Sequence, residues 1–396
     1  MINFDQTVQV GSAIINNVEI YRGGQVNTYK SGIRFEGHLR GNSTVENSVV
    51  WGGIAKPLYI KTSKNITIKD TSLIGGYQFG AMIRTVTNVN LDGMFVADIK
   101  RRFLNPNNLD IDKEGGIALC SFDDGDKCYD SSITNSIVTG VMYGGYVVPG
   151  HDCGDTNTSG FKFYNNVAHS IDGSGAYIFP DPASSKSASC YEGSHFSAYK
   201  TREPPVTTHY TSNEIRMTNM VFIDNAVGLS LQIGKPGDDL WIKLSDTKIY
   251  GEAANINLDC PPGISPSCWC ADKFGLMLFG SNHGNKALHP TMASALPIYK
   301  IKSESSWGTN VKIEDVEFIN WKQETACGKK QHAMERNWGS SDYIPIHKFK
   351  NTKIREVQDG ALFWNDDPPQ KWADISDCGD WPCTAPNNVV LKFEGT

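Results

Sequence analysis

Hydrolysis of a sugar chain needs two or three carboxylates held at acid–base spacing, and two acidic clusters offer them. "NNLDIDKEGG" supplies Asp110, Asp112 and Glu114, and "SFDDGDKCYD" supplies Asp123, Asp124, Asp126 and Asp130. The alternation in "LDID" puts Asp110 and Asp112 on one face of a strand, and such hard oxygen ligands suit calcium. No EF-hand pattern surrounds them, and both clusters read as solvated loops. His151, His169, His195 and His209 would serve acid–base or metal chemistry only by converging through loop folding. His169, in "NNVAH", reads as structural, its ring bonded to a backbone group. No Walker lysine, strand–GxGxxG–helix unit or Gly-x-Ser-x-Gly elbow is present. The sequence therefore assigns no catalytic residue, no metal ligand and no cofactor.

Aromatic residues are the second chemical resource. Trp51 and Trp241 fall on strand-like sequence, while Trp269, Trp307, Trp321, Trp338, Trp364, Trp372 and Trp381 crowd the last third. Beside Gly, Asn and Asp, such rings suit sugar stacking or protein contact, or else they cap and pack the chain. The net charge of -6 gives no reason to expect nucleic acid, and no Lys/Arg stripe appears. No run of apolar residues in the segment is long enough to span a membrane, and a basic n-region followed by an apolar h-region is not read in it. The strand-like opening, "INFDQTVQVGSAIINNVEI", implies a piece of a longer, exported or processed chain.

The elements that would position these groups show themselves as a repeat. "STVENSVVWGG" and "ITIKDTSLIGG" match in register through a Gly pair, with Asn47 and Asp70 at the same place. Their core is apolar-x-[Asn/Asp]-x-x-apolar. It recurs around Asn17, Asn135, Asn165, Asn219, Asp246, Asp315 and Asn351, with an imperfect copy at Asp92. Residues alternate apolar and polar around most copies, which is the period of a short strand. Short strands joined by one polar bend residue are the grammar of stacked coils that share one aliphatic core. Asn or Asp at the bend tolerates a left-handed backbone. The pattern predicts an all-β chain, a right-handed parallel β-helix forming one domain over 1–396, with Asn47 stacked beside Asp70. Insertions are expected at about 100–130, 150–162, 181–212, 255–308 and 322–345.

Ten cysteines argue about compartment: Cys120/Cys128, Cys260/Cys268/Cys270 and Cys378/Cys383 in close groups, and Cys153, Cys190 and Cys327 apart. The close groups sit in loop-like sequence, so disulfides would staple the insertions. Zinc is the competitor, but paired C-x2-C spacing is lacking. With glycosylation sequons at Asn42, Asn65 and Asn157, the cysteines place the chain outside the cell or in a secretory lumen.

The run "RFEGHLRGNSTVENSVVWGGIAKPLYIKTSKNITIKDTSLIGG" resembles the parallel β-helix region of fibrocystin, fibrocystin-L and the G8-domain cell-surface proteins that depolymerise hyaluronan. So does "GYVVPGHDCGD…GFKFYNNVAHSIDGSGAYIF". The resemblance implies a secreted or membrane-anchored ectodomain. Hyaluronidase-type relatives carry a His-x-His pair where this chain reads Arg34-Phe35-Glu36-Gly37-His38, so the resemblance points to the non-enzymatic branch. The expectation is a non-catalytic structural or adhesive segment at the cell surface, not an enzyme. Its partners would be other proteins, copies of itself or glycans, with no nucleic acid and no membrane contact. The alternative is a polysaccharide-binding or polysaccharide-degrading β-helix.

Overall fold

A computed structural model describes residues 11–25, 30–37, 41–100, 114–120, 128–149, 151–152, 161–178, 190–202, 204–208, 214–225, 227–231, 241–251, 273–279, 310–322, 331–337, 347–357, 363–365, 383–385 and 388–389. Every regular element among them is a β-strand, and nearly all pair in parallel as a right-handed β-helix. Packing divides the chain into two compact units, 1–197 and 198–396.

In the first unit each coil contributes three short walls. Inward residues of the first wall stack as Ile15, Val45, Ile68, Leu91, Ile133 and Phe163. Those of the second stack as Ile20, Val50, Leu73, Val96, Val138 and Ala168. The third runs Ile33, Leu58, Ala81, Ile117, Tyr146 and Ala176. From Val45, Val50 and Leu58 onward these residues are buried, so each coil's apolar face is closed by the coils above and below. Tyr146 lies in this core against Phe163 and Phe196. Its hydroxyl hydrogen faces two carbonyls, Ser136 at 2.7 Å and Val167 at 3.1 Å. Burial pushes the phenol well above its usual range, outweighing the bond to the Val167 carbonyl.

The second unit repeats the scheme. Met217, Leu244, Ile313 and Phe349 share one register, and Phe222, Ile249, Phe318 and Ile354 the next. A third register joins Leu229, Leu276, Met334 and Phe363.

The first two walls meet at a residue in the left-handed region. Asn17, Asn47, Asp70, Asn135, Asn165, Asn219, Asp246, Asp315 and Asn351 have φ between 45° and 56°. Asn47 lies beside Asp70: its N–H donates to the Lys69 carbonyl at 3.2 Å. Two corners escaped the sequence pattern. Where Asp92 reads as an imperfect copy, the corner is Gly93 at φ +64°, and Asp92 ends the preceding strand. The position between Asn165 and Asn219 falls to His195 at φ 53°. Five residues after every corner but Asp246 comes a second one: Arg22, Gly52, Gly75, Asp98, Gly140 and Ser170 in the first unit, and Lys200, Asp224, Asn320 and Glu356 in the second, all at positive φ.

At several left-handed corners the next N–H turns out of line with the ladder, and a buried polar side chain receives it. The N–H of Val18 donates to Ser48 Oγ, that of Met94 to Ser136 Oγ, and that of Ser136 to Asn166 Oδ1. In the second unit the Thr201 N–H donates to Asn225 Oδ1. Each acceptor sits just after a corner of the next coil. The hydroxyls of Ser48, Ser63, Thr71, Ser131, Ser136 and Thr247 in turn donate to the carbonyl two residues back, across their own corners. Where it is Ser48, Ser136 or Asn166, the residue after the corner is therefore as constrained as the corner itself.

Strands also lie within spans that read as insertions: 115–119, 190–201, 206–208, 273–279 and 331–337. The reason shows in the first unit's third wall, where Gly115–Leu119 and Gly144–Val148 are buried at every residue. Its outer side carries the stack Tyr59, Met82, Ala118, Val147 and Tyr177. A strand buried on both faces loses the alternation that marks a strand in sequence.

Ser136→Ala should strand the buried Met94 N–H, while the Thr134 carbonyl keeps the Gly93 N–H, and cost about 1–3 kcal/mol; Asn135→Gly beside it should stay within about 1 kcal/mol. Denaturant melts of both variants check this order.

Candidate functional site

Alternation sends every second residue of the first wall outward. In the first unit the outward positions form two ladders, Thr44–Thr67–Asn90–Ser132–Lys162 and Glu46–Lys69–Asp92–Thr134–Tyr164. All ten side chains carry a hydrogen-bonding group. The second wall differs: its outward ladder reads Val49, Ser72, Phe95, Ile137 and Val167. The polar ribbon is tied together by its own bonds. Ser132 Oγ donates to Asn90 Oδ1 at 2.8 Å, and Asp92 Oδ1 accepts from Thr134 Oγ1 at 2.8 Å and Asn135 Nδ2 at 2.6 Å. Asn165 Nδ2 donates to Asn135 Oδ1 and Asn88 Nδ2 to Asn65 Oδ1. The carboxylates of Asp70 and Asp92 belong to successive coils. Gly93 leaves room for the first of them, since a Cβ there would meet Asp70 Oδ1 at 2.4 Å.

In the second unit the same wall is cationic. Arg216, Lys243, Lys312 and Lys348 stand in one register on four successive strands. This corrects the expectation that no Lys/Arg stripe exists. The stripe holds one cation per coil, three residues before each corner, in "RMTN", "KLSD", "KIED" and "KFKN". It is invisible as a run and legible only once Asn219, Asp246, Asp315 and Asn351 are read as equivalent corners. The half-buried Glu214 carboxylate lies between two of these cations, with Arg216 Nε at 2.6 Å and Lys243 Nζ at 2.8 Å. Burial alone would raise its carboxyl, but the hydrogen bonds and charges of Lys243 and Arg216 outweigh burial and hold it below the usual carboxylate range. Lys312 Nζ lies 4.5 Å from the centre of the Trp241 ring, a cation–π geometry.

The other sequence candidates are dispersed. Glu114 is half-buried and accepts from Gln78 Nε2 at 3.2 Å. Asp130 is an exposed corner at φ 48°. Asp110, Asp112, Asp123, Asp124 and Asp126 lie outside the described residues. His169 Nδ1 contacts the hydroxyls of Thr139 at 3.0 Å and Ser170 at 3.3 Å. The His195 ring packs 4.5 Å from Tyr164. His151 falls in a two-residue strand, and His209 lies outside the described residues. Among the described residues no three His, Cys, Asp or Glu side chains gather as a metal site.

Cys120 and Cys128 are disulfide-bonded, and Cys190 is also in a disulfide. Cys383 falls in a short strand. Cys153, Cys260, Cys268, Cys270, Cys327 and Cys378 lie outside the described residues. Of the sequons, Asn42 is exposed, Asn65 is a corner at φ 56°, and Asn157 lies outside the described residues. Trp51 is exposed, stacked on Tyr21 and donating from Nε1 to Glu19 at 2.6 Å. Trp321 is a core residue whose Nε1 donates to the Ile249 carbonyl. Trp364 falls in a strand, and Trp269, Trp307, Trp338, Trp372 and Trp381 lie outside the described residues. Among the described residues no helix is long and apolar enough to cross a membrane.

Lowering of the Glu214 pKa gives a signed expectation. Its contribution to stability is full above the unfolded value, about 4.3, and is lost as pH falls through the lower folded value. Between pH 6 and pH 3 the native chain should lose up to about 1 kcal/mol more than Glu214→Gln does, read as denaturation midpoints.

No family model matches the chain, and no curated protein matches it. Among solved structures it is similar to the A-module of a mannuronan C-5 epimerase from Azotobacter vinelandii, at 12% identity and a TM-score of 0.44, over 91% of this chain and 90% of that one. It is similar also to the catalytic unit of an α-1,3-glucanase from Streptomyces thermodiastaticus, at 11% identity and a TM-score of 0.42, over 87% of this chain and 53% of that one. A tailspike protein from Pseudomonas phage LKA1 follows at 10% identity and a TM-score of 0.35, over 89% of this chain and 51% of that one. The expectation of a non-catalytic structural or adhesive segment, not an enzyme, is corrected here: the epimerase and the glucanase are enzymes. No residue role passes from them to this chain at such identities. In this chain's own terms, the outward first wall is a fixed polar ribbon beside a mainly apolar second wall. The fold that carries that ribbon is a right-handed parallel β-helix.

Proposed function

We propose that this chain binds and acts on a polysaccharide laid along the outer face of the first wall. The observation that carries the reading is the ladder of ten hydrogen-bonding side chains in the first unit, set beside a mainly apolar second wall. A sugar chain offers hydroxyls at regular intervals, and a ribbon that repeats once per coil, about 4.8 Å, meets them in step. The internal bonds from Asn90 to Ser132 and from Asp92 to Thr134 fix the ribbon in advance, which lowers the entropy lost on binding.

Asp70 and Asp92 are the carboxylates assigned to the chemistry. Asp70 is the corner that follows Lys69, the register partner of Asp92, so the two stand diagonally on adjacent coils; coils repeat at about 4.8 Å, and two carboxylates serve as acid–base and nucleophile at roughly 5–5.5 Å. Asp92 is fixed in place by two donors, Thr134 Oγ1 and Asn135 Nδ2, while Asp70 is exposed to a bound chain. The Cys120–Cys128 disulfide supports an oxidising, extracellular setting. Kinship with fibrocystin-like β-helices belongs to the same proposal. Part of what carries that resemblance, Asn165 to Ser170, is the pair of corners that a β-helix of this kind requires.

The test is a panel of neutral and acidic polysaccharides incubated with the purified chain, read by affinity electrophoresis and by product analysis. At least one should bind and be converted, and Asp92→Asn should lower conversion by about 10²-fold with its melting curve unchanged. Failure of every polysaccharide to bind would overturn the proposal.

A further inference from the structure

The cations of the second unit fix the chemical class of ligand more narrowly. We propose that Arg216, Lys243 and Lys312 form a binding site for an acidic polysaccharide, the chain lying along the coil axis with one anionic group opposite each coil. The proposal rests on the glycan reading above and assigns the second unit its own ligand.

Registers place one cation on each successive coil at the same outward position, with Lys348 continuing the register. Coils repeat at about 4.8 Å, close to the length of one sugar residue, so a carboxylate or sulfate carried by each sugar meets one cation per step. Contacts that are individually weak at a surface add along a polymer because neighbouring anions are tethered. Glu214 shows that the site receives a carboxylate: its own lies against both Arg216 and Lys243. It acts as a resident counter-ion that an incoming anion must displace. Lys312 pairs with no carboxylate among the described residues and is steered only by the Trp241 ring. At the next outward position Ser245 Oγ donates to Thr218 Oγ1 at 3.1 Å, giving hydroxyls to neighbouring sugars.

Nucleic acid fits these features less well. The net charge is -6, and Glu214 and Glu314 flank the cations. Phosphates also recur at about 3.4 Å along a duplex strand, out of step with the coils.

Binding to the full chain is measured by calorimetry against a polyuronate, its carboxyl-reduced neutral form and a DNA duplex of matched length. The polyuronate should bind and weaken as salt rises, and Lys312→Gln should weaken it about fivefold. Glu214→Gln should tighten it by removing the competitor, an effect that damage to the fold would not produce. Thermal melts of both variants exclude unfolding as the cause. If the neutral form binds as tightly as the polyuronate, this inference falls while the glycan reading stands. If no polysaccharide binds, both fall. If the DNA binds as tightly, the assignment to polysaccharide is wrong.

Discussion

A backbone N–H that the corner turns away from its neighbours is the constraint on which this structure depends. The left-handed residue sharpens the bend between two strands, and the amide that follows no longer faces a carbonyl of the adjacent coil. Left buried and unpaired it would cost about 1–3 kcal/mol at every turn. At several corners the chain answers with Ser or Asn on the next coil, as Ser48 does for Val18 and Asn166 for Ser136. Because each acceptor follows a corner of its own, one coil's corner specifies the position of the next. Register is then not a matter of aliphatic packing alone. A slip by one residue would leave these amides without acceptors and would also turn the apolar face outward.

Fixed register has a chemical result on the outside. Side chains at equal distance from the corner fall into straight ladders, and each ladder keeps its own character. Thr44 to Lys162 is polar, Val49 to Val167 mainly apolar, and Arg216 to Lys312 cationic. Long-range order of this kind suits a long, regular ligand, since every coil repeats the same contact. The core and the surface therefore answer to one rule, applied on opposite sides of the same strand.

Much of this was legible in the residues, and the limits are physical. Asn17, Asn47 and Asp70 announce themselves because few residue types tolerate positive φ. Gly93 and His195 did not, one because glycine occurs in many settings and the other because histidine is an uncommon corner residue. Ser48, Thr71 and Ser136 were in plain view as the second letter of Asn-Ser and Asp-Thr, but a lone hydroxyl gives no hint that it is buried. The strand Gly115–Leu119 was hidden because burial on both faces erases alternation. Arg216, Lys243 and Lys312 were hidden for a different reason: they are tens of residues apart in the chain and one strand apart in space. Sequence shows charge as composition, whereas the fold converts it into a line.

Wherever both corners have positive φ, the interval between them is five residues, from Asn17 to Arg22 and from Asn351 to Glu356, while successive first corners lie anywhere from 23 residues apart, as from Asn47 to Asp70, to 69, as from Asp246 to Asp315. Growth of the chain is thus channelled into a single arc of each turn. Descendants of such a chain are free to lengthen that arc, recruit new loops there and change what the protein recognises. The hinge between the first two walls, and the ribbon beside it, would pass through such changes untouched.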